Sequence, residues 1–258
     1  MTRDPWEEPV EALLLDIDDT IVDTRWAMLT SCTHGAAAAW PHHPPHTHEA
    51  IATWFYDDPL GLFDAYTRGE FPFDGMRAAR YHEACRRVGL PERGFDAFES
   101  TYKAVFARSQ RLFDDVAPLI EAAQLAEVAI GFVTNSGQEQ TDLKLDVVGL
   151  RSVGPVVTTD TLGVGKPDPA IFRHALDLLG TSPTTTVVVG DTLHSDIVGA
   201  QRTGLRAFWV QRPGLPEPRD AGWGTRVVDP SVRIVAGLGE VASSLAEPPP
   251  RRPQRDTV

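Results

Sequence analysis

The sequence predicts an α/β protein with an open, mostly parallel sheet and a helical domain inserted after the first strand. Short apolar runs rich in β-branched residues recur along the chain. They are nearly continuous rather than alternating, which is typical of strands buried on both faces. Between residues 129 and 245 these runs alternate with helical segments, as in parallel sheets. Residues 21–112, by contrast, carry helical patterns and no convincing strand.

The predicted strands follow from these apolar runs. The first is EALLLDID, at residues 11–18, and the next is AIGFVTN, at 129–135. The others cover residues 156–159, 185–191, 205–210 and 226–228.

Three helices are predicted between the later strands from their start and stop signals. Residues 136–148 form the first, which ends before Gly149. Residues 168–179 form the second, with proline in its first turn and glycine directly after its end. Residues 196–202 form the third, which ends before Gly204. Proline at the start and glycine after the end are typical of helix boundaries.

The domain organisation follows from these elements. Residues 10–20 and 113–245 are predicted to form the α/β core, and residues 21–112 the inserted helical domain. Residues 246–258 are rich in proline and charge, which predicts a disordered tail. The segment PHHPPHTH, which holds His42, His43, His46 and His48, is interpreted as an exposed loop of the helical domain.

Composition excludes several classes of partner. The 258 residues are 42% hydrophobic and 23% charged, as in ordinary globular proteins. A formal net charge of −12 argues against nucleic acid and against an anionic membrane surface. No run approaches the roughly 18 apolar residues that span a bilayer. Cys32 and Cys85 lack a CxxC spacing and the N-terminus lacks a signal-peptide pattern, so we expect a cytoplasmic protein with reduced thiols. The oligomeric state is not predicted.

The first candidate site segment is DIDDT, at the end of the first predicted strand. Asp16 and Asp18 are two residues apart, so they point to the same side if the strand continues. Two such carboxylates repel each other unless a cation lies between them or one holds a proton. Both arrangements suit phosphoryl transfer, in which one carboxylate attacks phosphorus and the other donates a proton. The alternative is that both aspartates cap the following turn and helix.

Three further segments follow predicted strands or lie in loops near them, where open α/β sheets bind ligands. Thr134 and Asn135 precede a helix and form a candidate anion site, or only a helix cap. Lys166 lies in the proline-stiffened loop GKPDP, where it either neutralises a phosphate oxygen or is simply solvated. Asp191 and Asp196, in GDTLHSD, offer the hard oxygen ligands that suit Mg²⁺, although Asp196 also fits a helix cap.

Together the four segments resemble the four motifs of the haloacid dehalogenase (HAD) superfamily of hydrolases. DIDDT matches the first motif, Thr134 the second, Lys166 the third and GDTLHSD the fourth. The resemblance covers residues 10–240, including GVGKPDPAIF and VVVGDTLHSDIVGAQRTG. It implies a Rossmann-like, three-layer core, and it places residues 21–112 where some members insert a helical cap.

The resemblance also implies roles for the residues that take part in the reaction. Asp16 would be the nucleophile that forms an aspartyl-phosphate, and Asp18 the general acid and later the base. Thr134, Asn135 and Lys166 would hold the phosphoryl oxygens.

The cofactor implied by the resemblance is Mg²⁺. Its ligands would be Asp16, the backbone carbonyl of Asp18, and Asp191. Asp196 and Thr20 would support this site.

Within the superfamily, Asp18 argues against dehalogenases and phosphonate-cleaving members, which lack the second aspartate of the pair. We therefore expect a Mg²⁺-dependent phosphatase acting on a small phosphorylated metabolite of the sugar phosphate or nucleotide class. Two alternatives stay open. One is a phosphomutase with the same motifs, and the other is a non-catalytic module that binds a phosphorylated ligand.

Overall fold

The computed structural model describes residues 4–215 and 229–246. These residues divide into two compact units. The first contains the described residues up to Ile21, Leu112–Asp142, and the described residues from Leu150 onward. The second contains Val22–Arg111 and Leu143–Gly149. In the described part of the chain, no helix has the combined length and apolarity that crossing a bilayer requires.

A parallel sheet forms the centre of the first unit. Its strands run in the order β3-β2-β1-β4-β5-β6, and every neighbouring pair is parallel. The chain builds outward from β1 on one side and then crosses to the other, so β1 lies at the switch point where such sheets bind ligands. The predicted three-layer α/β fold with a mostly parallel sheet is confirmed. The strands are β1 (Ala12–Leu15), β2 (Ala129–Val133), β3 (Val156–Val157), β4 (Thr186–Gly190), β5 (Arg206–Val210) and β6 (Val232–Val235).

The second unit is helical, and the first unit has helices of its own that pack against its sheet. The second unit contains α1 (Thr24–Ala39), α2 (Pro45–Asp57), α3 (Leu62–Thr67), α4 (Phe73–Arg87) and α5 (Phe95–Arg108). The first contains α6 (Val116–Leu125), and α7 (Gln138–Val147) begins in the first unit and ends in the second. The remaining helices are α8 (Thr159–Leu162), α9 (Pro169–Leu179), α10 (Gly199–Thr203) and α11 (Leu238–Ala246).

The core of the first unit forms between the sheet and α9 and α10. Leu14 of β1 and Val188 of β4 pack in one buried cluster with Phe172 of α9 and Ala200 of α10. A Cβ atom at Gly199 would lie 2.5 Å from the Phe172 ring, so only glycine lets α10 approach α9 this closely.

The second unit has an aromatic core of its own. Phe55, Tyr81, Phe98 and Tyr102 are buried together, and the rings of Tyr81 and Phe98 lie 4.4 Å apart between centroids. The indole N–H of Trp40 donates to the Tyr81 hydroxyl at 3.0 Å, which satisfies a buried polar group.

Several predicted boundaries differ from the structure. The first strand ends at Leu15 instead of residue 18, because the chain turns there and Asp19 adopts a left-handed backbone with φ 60°. The helix predicted at residues 196–202 is α-helical only from Gly199, because Leu193–Val198 forms a π-helical turn. A strand at Val232–Val235 was not predicted. The predicted strand at 226–228 lies outside the described residues.

Two further predictions concern the histidine-rich segment and the tail. The histidine-rich segment is not an exposed loop throughout, because α2 begins at Pro45 and buries His48, whose Nε2 lies 2.8 Å from the Trp40 carbonyl oxygen. Ala246 ends α11, and residues 247–258 of the predicted tail lie outside the described residues.

Candidate active site

The predicted site segments meet at the carboxyl end of the sheet. In the register of β1, Leu15 lies opposite Phe132 of β2 and Val189 of β4. The residues that follow these three strands are therefore neighbours. The backbone N–H of Asp16 still bonds to the Val189 carbonyl at 2.9 Å, which fixes the nucleophile candidate at the strand end.

Lys166 joins two of the acidic residues. Its Nζ lies 2.5 Å from Oδ1 of Asp16 and 2.6 Å from Oδ1 of Asp196, and its side chain is only 3% exposed. Asn135 fixes the lysine backbone. Its Oδ1 accepts the Lys166 N–H at 2.7 Å and its Nδ2 donates to the Lys166 carbonyl at 2.9 Å. The side chain of Asn135, predicted to bind phosphate, thus engages both backbone polar groups of the lysine.

Asp196 is held between this lysine and the turn after β4. Its Oδ2 accepts the backbone N–H of Thr192 at 3.0 Å. A Cβ atom at Gly190 would lie 2.4 Å from Cγ of Asp196, so the carboxyl group occupies space that only glycine leaves open. The position of Asp196 is therefore set by three neighbours at once.

Asp191 follows β4 and receives hydroxyl bonds from two threonines. Its Oδ1 lies 3.1 Å from the Thr192 hydroxyl and 3.4 Å from that of Thr20. Its carbonyl accepts the indole N–H of Trp209 at 2.8 Å. These contacts connect the first and fourth motif segments.

The site concentrates negative charge in a buried place. Carboxyl oxygens of Asp16, Asp191 and Asp196 all lie within 4.8 Å of one another. Burial raises the pKa of Asp16 to about 7, although the charge of Lys166 opposes the shift. Burial, and repulsion from the nearby Asp16, raise the pKa of Asp191 well above its usual value. Burial alone would lower the pKa of Lys166, but the two carboxylates outweigh it and raise that pKa, so the ammonium stays charged. A cation among these oxygens would relieve the repulsion, and carboxylates are ligands that suit Mg²⁺.

Thr134 and Asp18 are connected through a residue that the sequence reasoning missed. Thr134 is 1% exposed, and its Oγ1 accepts the backbone N–H of Ser136 at 3.1 Å. The hydroxyl of Ser136 in turn donates to Oδ2 of Asp18 at 2.8 Å. Serine at a turn before a helix usually indicates only a cap, so no local signal marked this contact.

Comparison with known proteins identifies the family. Residues 10–204 match the family model of haloacid dehalogenase-like hydrolases. The chain belongs to this family. The resemblance predicted from the four motifs is therefore confirmed.

Relatives of this HAD-like hydrolase include named phosphatases. It is 31% identical to a phosphoserine phosphatase from Thermus thermophilus over 70% of this chain and 72% of that protein. It is 26% identical to a glyceraldehyde 3-phosphate phosphatase from Pyrococcus abyssi over 78% of this chain and 82% of that protein. The crystal structure of the HAD-hydrolase YfnB from Bacillus subtilis, bound to magnesium, has the same fold, with a TM-score of 0.69 and 20% identity over 92% of this chain and 99% of that one.

Arg212 is a second residue of this HAD-like hydrolase that sequence reasoning missed. Its guanidinium donates to both carboxyl oxygens of Asp115 at 2.9 Å and to the Thr20 carbonyl at 2.8 Å. It also stacks 3.8 Å from the centroid of the Phe113 ring. These contacts hold the end of the first motif, and no sequence pattern around Arg212 indicates them.

Proposed function

We propose that this HAD-like hydrolase removes phosphate from a small phosphorylated metabolite through an aspartyl-phosphate on Asp16. The observation that carries the proposal is the buried Asp16 carboxylate held against Lys166 at the end of β1, with Asp18 two residues further on. The phosphoserine and glyceraldehyde 3-phosphate phosphatases among its relatives support phosphoric monoester hydrolysis as the reaction.

The first half of the reaction phosphorylates the enzyme. A carboxylate oxygen of Asp16 forms a bond to phosphorus while the bond between phosphorus and the ester oxygen breaks. The carboxyl group of Asp18 gives its proton to the departing oxygen. Lys166 and the Thr134 hydroxyl stabilise the charged phosphoryl oxygens, which is where most of the rate enhancement in phosphoryl transfer arises.

The second half regenerates the enzyme. A water molecule attacks phosphorus and gives its proton to Asp18, which now acts as the base. The bond between phosphorus and Asp16 breaks, inorganic phosphate leaves, and Asp16 returns to a carboxylate. Both halves use the same residues, so one site carries out the whole cycle.

The donor set fits Mg²⁺. Asp16, Asp191 and the backbone carbonyl of Asp18 would hold the ion. Asp196 would support this site through its contact with Lys166, and Thr20 through its contact with Asp191. A bound Mg²⁺ supplies positive charge that favours the ionised form of Asp16 and offsets the charge of the phosphoryl group.

The helical unit at Val22–Arg111 is proposed to act as the cap that selects the substrate, of the sugar phosphate or nucleotide class. Its place in the chain supports this role, because it is inserted directly after the segment that holds Asp16 and Asp18. The buried free thiols of Cys32 and Cys85 support the prediction of a reducing compartment such as the cytoplasm.

Phosphate release from p-nitrophenyl phosphate and a panel of metabolite phosphates tests the proposal. Asp16→Asn should abolish turnover, and EDTA should abolish it reversibly, with Mg²⁺ restoring the rate. Asp96→Asn, the same change at an exposed position in α5, should leave the rate unchanged.

Normal turnover by Asp16→Asn would refute the proposed nucleophile. Faster appearance of an isomerised sugar phosphate than of free phosphate would instead favour a phosphomutase. Tight Mg²⁺-dependent binding of a phosphorylated ligand without turnover would favour a non-catalytic module.

A further inference from the structure

The turn between β2 and α7 holds Ser136 in a fixed place. The backbone N–H of Ser136 donates to Oγ1 of Thr134 at 3.1 Å, and its carbonyl accepts the hydroxyl of Thr159 at 3.5 Å. Two residues further on, the N–H of Gln138 donates to Oδ2 of Asp160 at 2.7 Å. Because the backbone on both sides of Ser136 is anchored, its hydroxyl has a defined position.

Asp18 lies beyond the last residue of β1, in a single β-bridge directly before a turn. The strand β1 ends at Leu15, and Asp19, which begins the turn, adopts a left-handed backbone. The hydroxyl of Ser136 donates to Oδ2 of Asp18 at 2.8 Å, which ties this turn to the neighbouring strand end.

We propose that Ser136 is a positioning residue that orients Asp18 for proton transfer to the leaving oxygen. This inference rests on the proposed function, in which the electron pair of the breaking phosphorus–oxygen bond goes to the ester oxygen and the proton comes from Asp18. General acid catalysis depends on the geometry of the donor relative to the acceptor. Ser136 also bonds to Thr134, so one turn fixes both the phosphate-binding hydroxyl and the acid.

The dependence of the rate on the leaving group separates this role from a structural one. An ester with a weakly basic leaving group, such as p-nitrophenyl phosphate, departs without much help from a proton. Phenyl phosphate, whose leaving oxygen is far more basic, needs the acid. The parameter to compare is kcat/KM, because it reports the half-reaction that forms the aspartyl-phosphate.

The experiment measures kcat/KM of the full-length protein with Mg²⁺ on both esters for Ser136→Ala, Ser136→Thr and Ser243→Ala. General acids contribute about 10²–10⁴-fold to the rate, and Ser136→Ala only disorients Asp18. The kcat/KM of this variant should therefore fall about 10–100-fold on phenyl phosphate and less than about threefold on p-nitrophenyl phosphate. Ser136→Thr keeps a hydroxyl and should recover most of the loss. Ser243→Ala removes an exposed hydroxyl in α11 and should match the wild type.

An equal loss on both esters, or no loss on either, would overturn the inference. So would a Ser136→Thr protein with wild-type thermal stability that recovers no activity on phenyl phosphate. A wild-type protein that releases no phosphate from any ester would instead contradict the proposed function, and the inference with it. The two failures are therefore distinguishable.

Discussion

Replacing Gly190 with alanine tests whether the position of Asp196 controls activity. A Cβ atom at Gly190 would lie 2.4 Å from Cγ of Asp196 and 2.5 Å from its Oδ2. Since carbon atoms separate to about 3.5 Å, the carboxyl group must retreat by about 1 Å. In the wild type, Oδ1 of Asp196 lies 2.6 Å from Nζ of Lys166. A retreat of that size stretches the pair to about 3.6 Å, beyond hydrogen-bond distance.

The expected consequence is a large loss of activity in a folded protein. A displacement of about 1 Å within an active site costs on the order of 100-fold, and Asp196 holds the proposed phosphate-binding Lys166, so kcat/KM for p-nitrophenyl phosphate should fall about 30–100-fold. Overpacking should lower the free energy of unfolding by about 1–3 kcal/mol, measured by urea denaturation.

The matched control is Gly239→Ala in α11, where an added Cβ meets no atom within 4 Å. It should keep the wild-type rate and gain about 0.5–1 kcal/mol of stability, because alanine favours helices more than glycine does. A folded Gly190→Ala protein with an activity within about threefold of this control would refute the reasoning, since misplacement is expected to cost far more.

Three further predictions concern stability and reactivity. Arg80→Met should lower the free energy of unfolding in urea by about 3–5 kcal/mol, because the buried guanidinium bonds to carbonyls at the end of α2 and is the ion partner of the buried Asp58, 3.8 Å away. Arg87→Met, on the same helix but half-exposed, should cost at most about 1 kcal/mol. Comparable losses would contradict this. Burial alone would raise the pKa of Asp115, but the hydrogen bonds from Arg212 and from a backbone N–H outweigh it and lower this pKa. The ionised Asp115 therefore stabilises the fold above about pH 4, and this stabilisation is lost as the pH falls further. The stability difference between wild type and Asp115→Asn should therefore shrink in acid; a constant difference would count against it. Burial raises the pKa of Cys32 to about 12, so iodoacetamide should label this thiol only after unfolding, and rapid labelling of the native protein would contradict that.

The buried strands could be predicted from the sequence because each one is a continuous run of apolar residues. The strand β4, TVVVG, and the strand β5, RAFWV, are buried at every position, which leaves the continuous apolar run that was recognised. The strand β6 lies at the edge of the sheet and exposes Arg233 and Ile234. Because β6 is not buried on both faces, it has no such run, and its residues carry no local pattern that separates them from a loop.

The site was predictable in its location but not in its internal contacts. Parallel topology brings strand ends together, so residues after β1, β2 and β4 had to be neighbours once those strands were recognised. The bonds that orient them join distant positions. Asn135 and Lys166 are 31 residues apart, Asp18 and Ser136 118, and Thr20 and Arg212 192. Local patterns do not encode contacts at such separations. The catalytic roles stay predictions until the variants above are measured.

The negative charge of the protein is unfavourable for a phosphate substrate at first sight. The carboxylates gathered at the candidate site nevertheless support the proposed cofactor, Mg²⁺. Asp16, Asp191 and Asp196 bring three carboxylates together in a buried place, and the ammonium of Lys166 offsets at most one of those charges. Burial is the main cause of the raised pKa values of Asp16 and Asp191, and repulsion from the neighbouring carboxylates adds to it. A protonated Asp16 is a poor nucleophile, and an anionic substrate would raise its pKa further. A divalent cation among these oxygens removes both obstacles at once, because it favours ionised Asp16 and attracts the phosphoryl group. The net charge of −12 is thus compatible with phosphate chemistry as long as the ion is bound, which is why EDTA should abolish activity while the fold remains intact.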